Sequence, residues 1–252
     1  MKKKHLMMII LINAFSFACL AQIQPGFKLG ASVPDIKGNT EQSKGYTSRL
    51  AEFFGISLTK KIFNYFNIQT ELNYSPQGGK RNGMQPVDPS EFGISVPNGT
   101  TLYANFKNET KLNYLEVPVM LQFSIDKTQE DNRIFYFANL GPYIAFRLNS
   151  KTITSGKSFI YVDPQATTPL TVDGIALPAQ SFESRTNLND EIKKVSAGII
   201  GGIGSGYNFH GHKFFLEARF TRGLTNIQMH PETSGKNKTG SLIFAAGYIY
   251  SL

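Results

Sequence analysis

Phe66-Asn67-Ile68-Gln69-Thr70-Glu71-Leu72-Asn73-Tyr74 is the sharpest alternating segment of the chain. Phe66, Ile68, Thr70, Leu72 and Tyr74 fall on one side, and Asn67, Gln69, Glu71 and Asn73 on the other. Side chains of an extended strand point alternately to opposite faces, so a strict period of two marks a strand between two different environments. Seven further segments repeat the pattern: 27–33, 50–59, 112–123, 134–148, 195–207, 214–221 and 242–252. No stretch of comparable length has helical periodicity. The composition agrees with a strand-rich chain. Of 252 residues, 41% are hydrophobic, 12% aromatic and only 17% charged, and 23 are Gly. This excludes a disordered chain, a coiled coil and a collagen-like repeat. A mean hydropathy of -0.19, with no long apolar run, excludes a helical multispan membrane protein.

The connections alternate as strictly as the strands. Those at 60–62, 126–132 and 209–212 are short, whereas 34–49, 76–111, 149–194 and 223–239 are long and rich in turn-forming residues. An up-and-down sheet with this pattern collects its long loops at one end and its turns and termini at the other, the organisation of an outer-membrane barrel. A soluble barrel with an apolar interior would alternate too, but its wet face would carry Lys and Glu. Here the polar face is Asn, Gln, Ser, Thr and Gly with isolated charges, suited to a crowded lumen, and each segment is long enough for a tilted strand to cross a bilayer. The expected fold is all-β: an eight-stranded up-and-down antiparallel transmembrane β-barrel with long extracellular loops.

The N-terminus reads as an export signal. Lys2, Lys3 and Lys4 precede the apolar stretch 6–17, and Cys19-Leu20-Ala21 offers a small-residue cleavage site. Cleavage after Ala21 gives a signal peptide of 1–21 and one barrel domain of 22–252. A lipoprotein signal acylated at Cys19 is the rival, disfavoured because Ser16 stands where such signals carry Leu. Removing three lysines leaves 23 basic and 18 acidic residues, a net +5, scattered along the chain, and export makes nucleic acid an unsuitable partner.

Several elements carry a family resemblance. Gly26-Phe27-Lys28-Leu29-Gly30-Ala31, the run 69–80 (Gln-Thr-Glu-Leu-Asn-Tyr-Ser-Pro-Gln-Gly-Gly-Lys) and Leu112-Asn113-Tyr114-Leu115-Glu116-Val117-Pro118-Val119 resemble PorT-type outer-membrane β-barrel proteins. So do Gly141-Pro142-Tyr143, the run 215–220 with Gly223-Leu224, and the closing Gly247-Tyr248. The resemblance implies an eight-stranded barrel in the outer membrane of a Gram-negative cell. It carries over no biochemical role, because fold does not imply function.

The lumen of an eight-stranded barrel is only wide enough for its own side chains. Lys28, Glu71, Glu116, Arg147, Glu217 and Arg219 all have inward parity and should pair there, since an unpaired charge in a poorly hydrated space is expensive. Arg147 is expected to neutralise Glu71 and Glu116 from a neighbouring strand. An acid/base reading of Glu71 and Glu116 is weaker, because no nucleophile accompanies them. His210 and His212 share a turn that offers too few ligands for a metal, and His230 stands alone in a loop. Gly198, Gly201, Gly202, Gly204 and Gly206 lack the helix a phosphate-binding motif needs and should instead make room for large lumen residues. The formal glycosylation sequons at Asn98 and Asn108 have no meaning in a bacterial chain. No catalytic, metal or cofactor residue is expected. The expected role is a non-enzymatic barrel that binds or scaffolds through its loops, with outer-membrane lipids and possible protein partners. A narrow channel or a lipid-modifying enzyme is the alternative.

Overall fold

The computed structural model describes residues 23–39, 45–93, 97, 100–127, 132–172 and 174–250. The expected signal peptide with Cys19, the sequon at Asn98 and the final Leu252 lie outside them.

Eight long strands form the barrel: β1 Ile23–Gly38, β2 Ala51–Lys61, β3 Phe66–Val87, β4 Leu102–Lys127, β5 Asn132–Ser155, β6 Val195–Phe209, β7 His212–Gly223 and β8 Asn237–Tyr250. Each pairs antiparallel with its neighbours in sequence. The ring closes where β1 pairs β8, from Gly26↔Ile249 to Gly38↔Asn237. Closure matters because hydrocarbon offers no partner for an unpaired backbone group. At this seam Gly30 is required: a Cβ there would stand 2.0 Å from the Phe244 carbonyl oxygen.

The alternation is inside out, as its chemistry demands in lipid. On β7, Leu216 is 69% exposed while its neighbour Glu217 is 4% exposed. Phe27, Leu29, Ile56, Leu140 and Phe244 also face outward, and Lys28, Ser57, Glu71, Glu116 and Asn139 are buried inside. Most glycines of β6 serve the interior: a Cβ on Gly204 or Gly206 would meet the rings of Phe137 and Phe135 at 2.3 and 2.5 Å, whereas Gly201, expected among them, instead makes room on the outer face for Phe220 and Leu140.

Two expectations need correction. Residues 76–87 and 102–111, read as part of a loop, are paired strands of a hairpin. β3 runs to Val87 and pairs β4 continuously from Gln77↔Leu112 to Val87↔Leu102. Gly78 and Gly83, both at positive φ, lie within this extension without breaking its pairing. Likewise 149–194 is not structureless. β5 continues to Ser155, Ser184–Asn187 pairs with it, and Ile160–Tyr161 pairs with β4. Beyond the membrane a strand no longer separates lipid from lumen, so it loses its period while keeping its backbone pairing.

Candidate functional site

The middle of the lumen holds a closed ion network. The Lys28 ammonium of β1 donates to Glu71 Oε1 at 2.7 Å and to Glu217 Oε2 at 2.8 Å. The Arg219 guanidinium donates to both oxygens of Glu71, at 2.6 and 3.0 Å, and to Glu217 Oε1 from Nη2 at 2.8 Å. Gln69 and Asn73 amides donate to Glu71, and the Asn139 amide to Glu217 at 2.7 Å. Two cations meet two carboxylates, and all four side chains are at most 1% exposed. The layer draws on β1, β3, β5 and β7, every second strand of the ring. β3 and β7 stand opposite each other in that ring, so the Arg219–Glu71 pair spans the lumen. Glu71 is held by both cations, and the network has no free carboxylate poised for proton transfer.

Glu116 and Arg147 stand apart from this layer. Glu116 accepts from Ser75 Oγ at 3.3 Å, and among the described residues its Oε1 has no hydrogen-bond partner. It lies among Gln77, Tyr114, Tyr143, Ser196 and Thr239. Arg147 does not neutralise it. The expectation fails because Arg147, although it stands opposite Tyr114 in the same register as Glu116, turns its guanidinium up to the folded loop. There its Nη1 donates to the carbonyls of Asn189 and Ile192, at 2.5 and 2.8 Å. Glu71 is neutralised by Lys28 and Arg219 instead, and neither cation forms an ion pair with Glu116. Arg147→Ala is therefore expected to leave barrel stability within about 1 kcal/mol, the range for a substitution outside buried charge networks. It should accelerate proteolytic nicking within 156–194 several-fold, as read by limited proteolysis of the folded barrel.

The two ends of the lumen differ. Toward the short turns, a cavity of about 300 Å³ is lined by Phe135, Phe137, Phe215, Lys213 and several amides, with Lys28 among its inner residues. Lys28 and Lys213 lie over the rings of Phe215 and Phe135, at 5.6 and 5.7 Å. Toward the long loops, Ile36, Leu112, Tyr114, Tyr143, Ile192, Ile200 and Ile227 pack into one buried cluster. Ile192 and Ile227 come from loops, so the loops themselves plug the mouth. In the turn region, His212 Nδ1 bonds the Tyr248 hydroxyl at 2.7 Å rather than pairing with His210. Among the described residues no group of three or more His, Cys, Asp or Glu could hold a metal.

Above the mouth the extended hairpin and the 156–194 loop form a platform. Phe106 and Phe182 stack with centroids 4.5 Å apart, and the Gln85 amide donates to the Phe106 carbonyl at 2.7 Å. The Asn105 N–H donates to Ser158 Oγ at 3.0 Å. The Asp163 carboxylate accepts from the N–H groups of Thr167, Thr168 and Gln165, and these bonds hold it below its ordinary range. A cleft of about 660 Å³ lies between hairpin and loop, lined among others by Met84, Phe106, Lys107, Lys157, Phe159 and Tyr161. Neither the platform nor the amides Gln69, Asn73 and Asn139 were singled out from the sequence. The amides' inward parity beside the charges was the signal that could have found them.

Residues 16–228 match the family model described as outer membrane protein beta-barrel domain. No curated protein matches the chain. Among solved structures, the chain is similar to Ail, the attachment invasion locus protein of Yersinia pestis, in complex with the heparin analogue sucrose octasulfate. Identity is 13% over 91% of this chain and 99% of that one, with a TM-score of 0.37. Neisserial surface protein A (NspA) is 12% identical over 90% of this chain and 97% of its own, with a TM-score of 0.40. A Pseudomonas aeruginosa FadL homologue is 8% identical over 91% and 90%, with a TM-score of 0.23.

Proposed function

Since the chain belongs to the outer membrane protein beta-barrel domain family, we propose that it is a non-enzymatic barrel that anchors an extracellular binding platform in the outer membrane. The observation that carries this reading is the continuation of β3, β4 and β5 beyond the barrel into one sheet, joined by segments of the 156–194 loop. Such an extension holds its exposed surface rigid, and rigid surfaces lose less entropy on binding. The cleft beside Phe106 and Tyr161 offers apolar and cationic contacts to a macromolecular partner. In this reading the chain is exported by its first 21 residues, and the PorT-type resemblance is to the barrel that carries the platform.

A filled lumen supports a scaffold over a channel: charge network and apolar plug lie between the two ends. Purified barrel in planar bilayers is expected to show no conductance above the bare membrane, and discrete openings of uniform size would count against this. The platform itself is tested by replacing residues 81–108 with an Asn-Gly turn, a two-residue hairpin connection. Crosslinking in native outer membranes should recover partners with the intact chain and lose them with the shortened one, while both keep a folded barrel's shifted migration on SDS gels. Equal recovery from both would overturn the proposal.

A further inference from the structure

The outer wall carries a basic groove that neither the lumen nor the platform uses. On β8 the outward positions run Tyr250, Tyr248, Ala246, Phe244 and Leu242, and then Gly240 and Lys238. At about 3.3 Å per residue and a tilt of about 40°, the stretch 242–250 covers roughly 23 Å, close to the height of a barrel's apolar band. Lys238 therefore sits at the headgroups of the leaflet on the long-loop side. The register gathers further cations around it. Lys37 of β1 lies directly opposite Lys238, and Arg222 of β7 lies opposite Gly240. Lys236 immediately precedes β8. All four are exposed, and among the described residues none forms an ion pair.

These side chains rim a groove of about 550 Å³ whose membrane-side wall is Val33, Phe220 and Leu242. Gly240 leaves the hollow open: a Cβ there would meet only the Thr221 carbonyl oxygen, at 3.4 Å. Among the described residues of the lining, one carboxylate, Asp35, faces four cations. So lopsided a cluster repels itself unless an anion lies between its members, and an Arg fork with lysine point charges suits phosphate. The adjoining apolar wall suits acyl chains and gives nothing to a free ion.

We propose that this groove binds a lipid of the outer leaflet by its phosphorylated headgroup, with Lys37, Arg222, Lys236 and Lys238 around the phosphate and an acyl chain against Phe220 and Leu242. The test is native mass spectrometry of the full mature barrel in detergent micelles, with diphosphorylated lipid A, the same lipid stripped of both phosphates, and inorganic phosphate as competitor. The diphosphorylated lipid is expected to bind at least tenfold more tightly than the stripped one and to resist equimolar inorganic phosphate. Lys37→Ala with Arg222→Ala and Lys238→Ala should lower its occupancy at least tenfold. Gly240→Leu, which fills the hollow and leaves every charge in place, should do the same, and it decides the matter if the triple variant does not fold. Equal binding of the stripped lipid, displacement by inorganic phosphate, or wild-type binding by a folded Gly240→Leu would each overturn the proposal.

Discussion

Arg219→Met should lower the stability of the folded barrel by about 3–5 kcal/mol, the cost of removing one partner from a buried ion network. Arg219 is 2% exposed and contributes four of the close contacts that hold Glu71 and Glu217. Without it, two buried carboxylates share the single charge of Lys28. Neutralising a carboxylate should compensate. Arg219→Met combined with Glu71→Gln is expected to recover at least half of the loss, because Lys28 then balances Glu217 alone. Urea unfolding in lipid vesicles, followed by migration on SDS gels, measures both. A single variant within 1 kcal/mol of wild type, or a double variant as unstable as the sum of the two singles, would show that the network is not coupled.

Removing residues 247–252 should abolish the folded barrel. The deletion takes Gly26↔Ile249, Phe27↔Tyr248 and Lys28↔Gly247 from one side of β8, and the pairs from His212↔Tyr250 to Phe215↔Gly247 from the other. Both neighbours then present unpaired backbone groups in hydrocarbon, at several kcal/mol each. Among the described residues, excising 159–179 from the long loop takes from the strand ladders only the short pairing with Tyr103 and Ala104 and the pairing within the excised segment, all beyond the membrane. It should leave insertion intact. Membrane fractionation and gel mobility in cells expressing each variant provide the comparison. Insertion of the tail deletion, or failure of the loop excision, would mean that the strands are misassigned.

The eight strands and the sidedness of each were legible because lipid and lumen impose opposite chemistry at successive residues, as at Glu71 and Leu72. That signal stops at the membrane boundary. The Pro76-Gln77-Gly78-Gly79 run looked like loop punctuation, yet Gln77 and Gly79 pair Leu112 and Thr110 in an unbroken ladder. Parity along each strand says which charges point inward, but not how they pair. Strand stagger decides which inward residues share a height, and counting along one strand cannot supply it. Hence Arg147, next in the ring to Glu116, turned to the loop carbonyls, while Arg219 found Glu71 across the lumen.

That cross-lumen contact bears on how the barrel comes into being. Arg219 and Glu71 are 148 residues apart in the chain, and Lys28 and Glu217 are 189 apart. Contacts of such long range cannot form until β7 arrives and the ring closes, so the network is completed, and sheds the last of its water, only with the last strands. This places the costliest event of assembly at its end and makes folding slow, as high contact order does in general. It also works in reverse. No strand of the network can peel away without exposing the charges of the strand facing it, so the finished barrel is held by its escape rate as well as by its free energy.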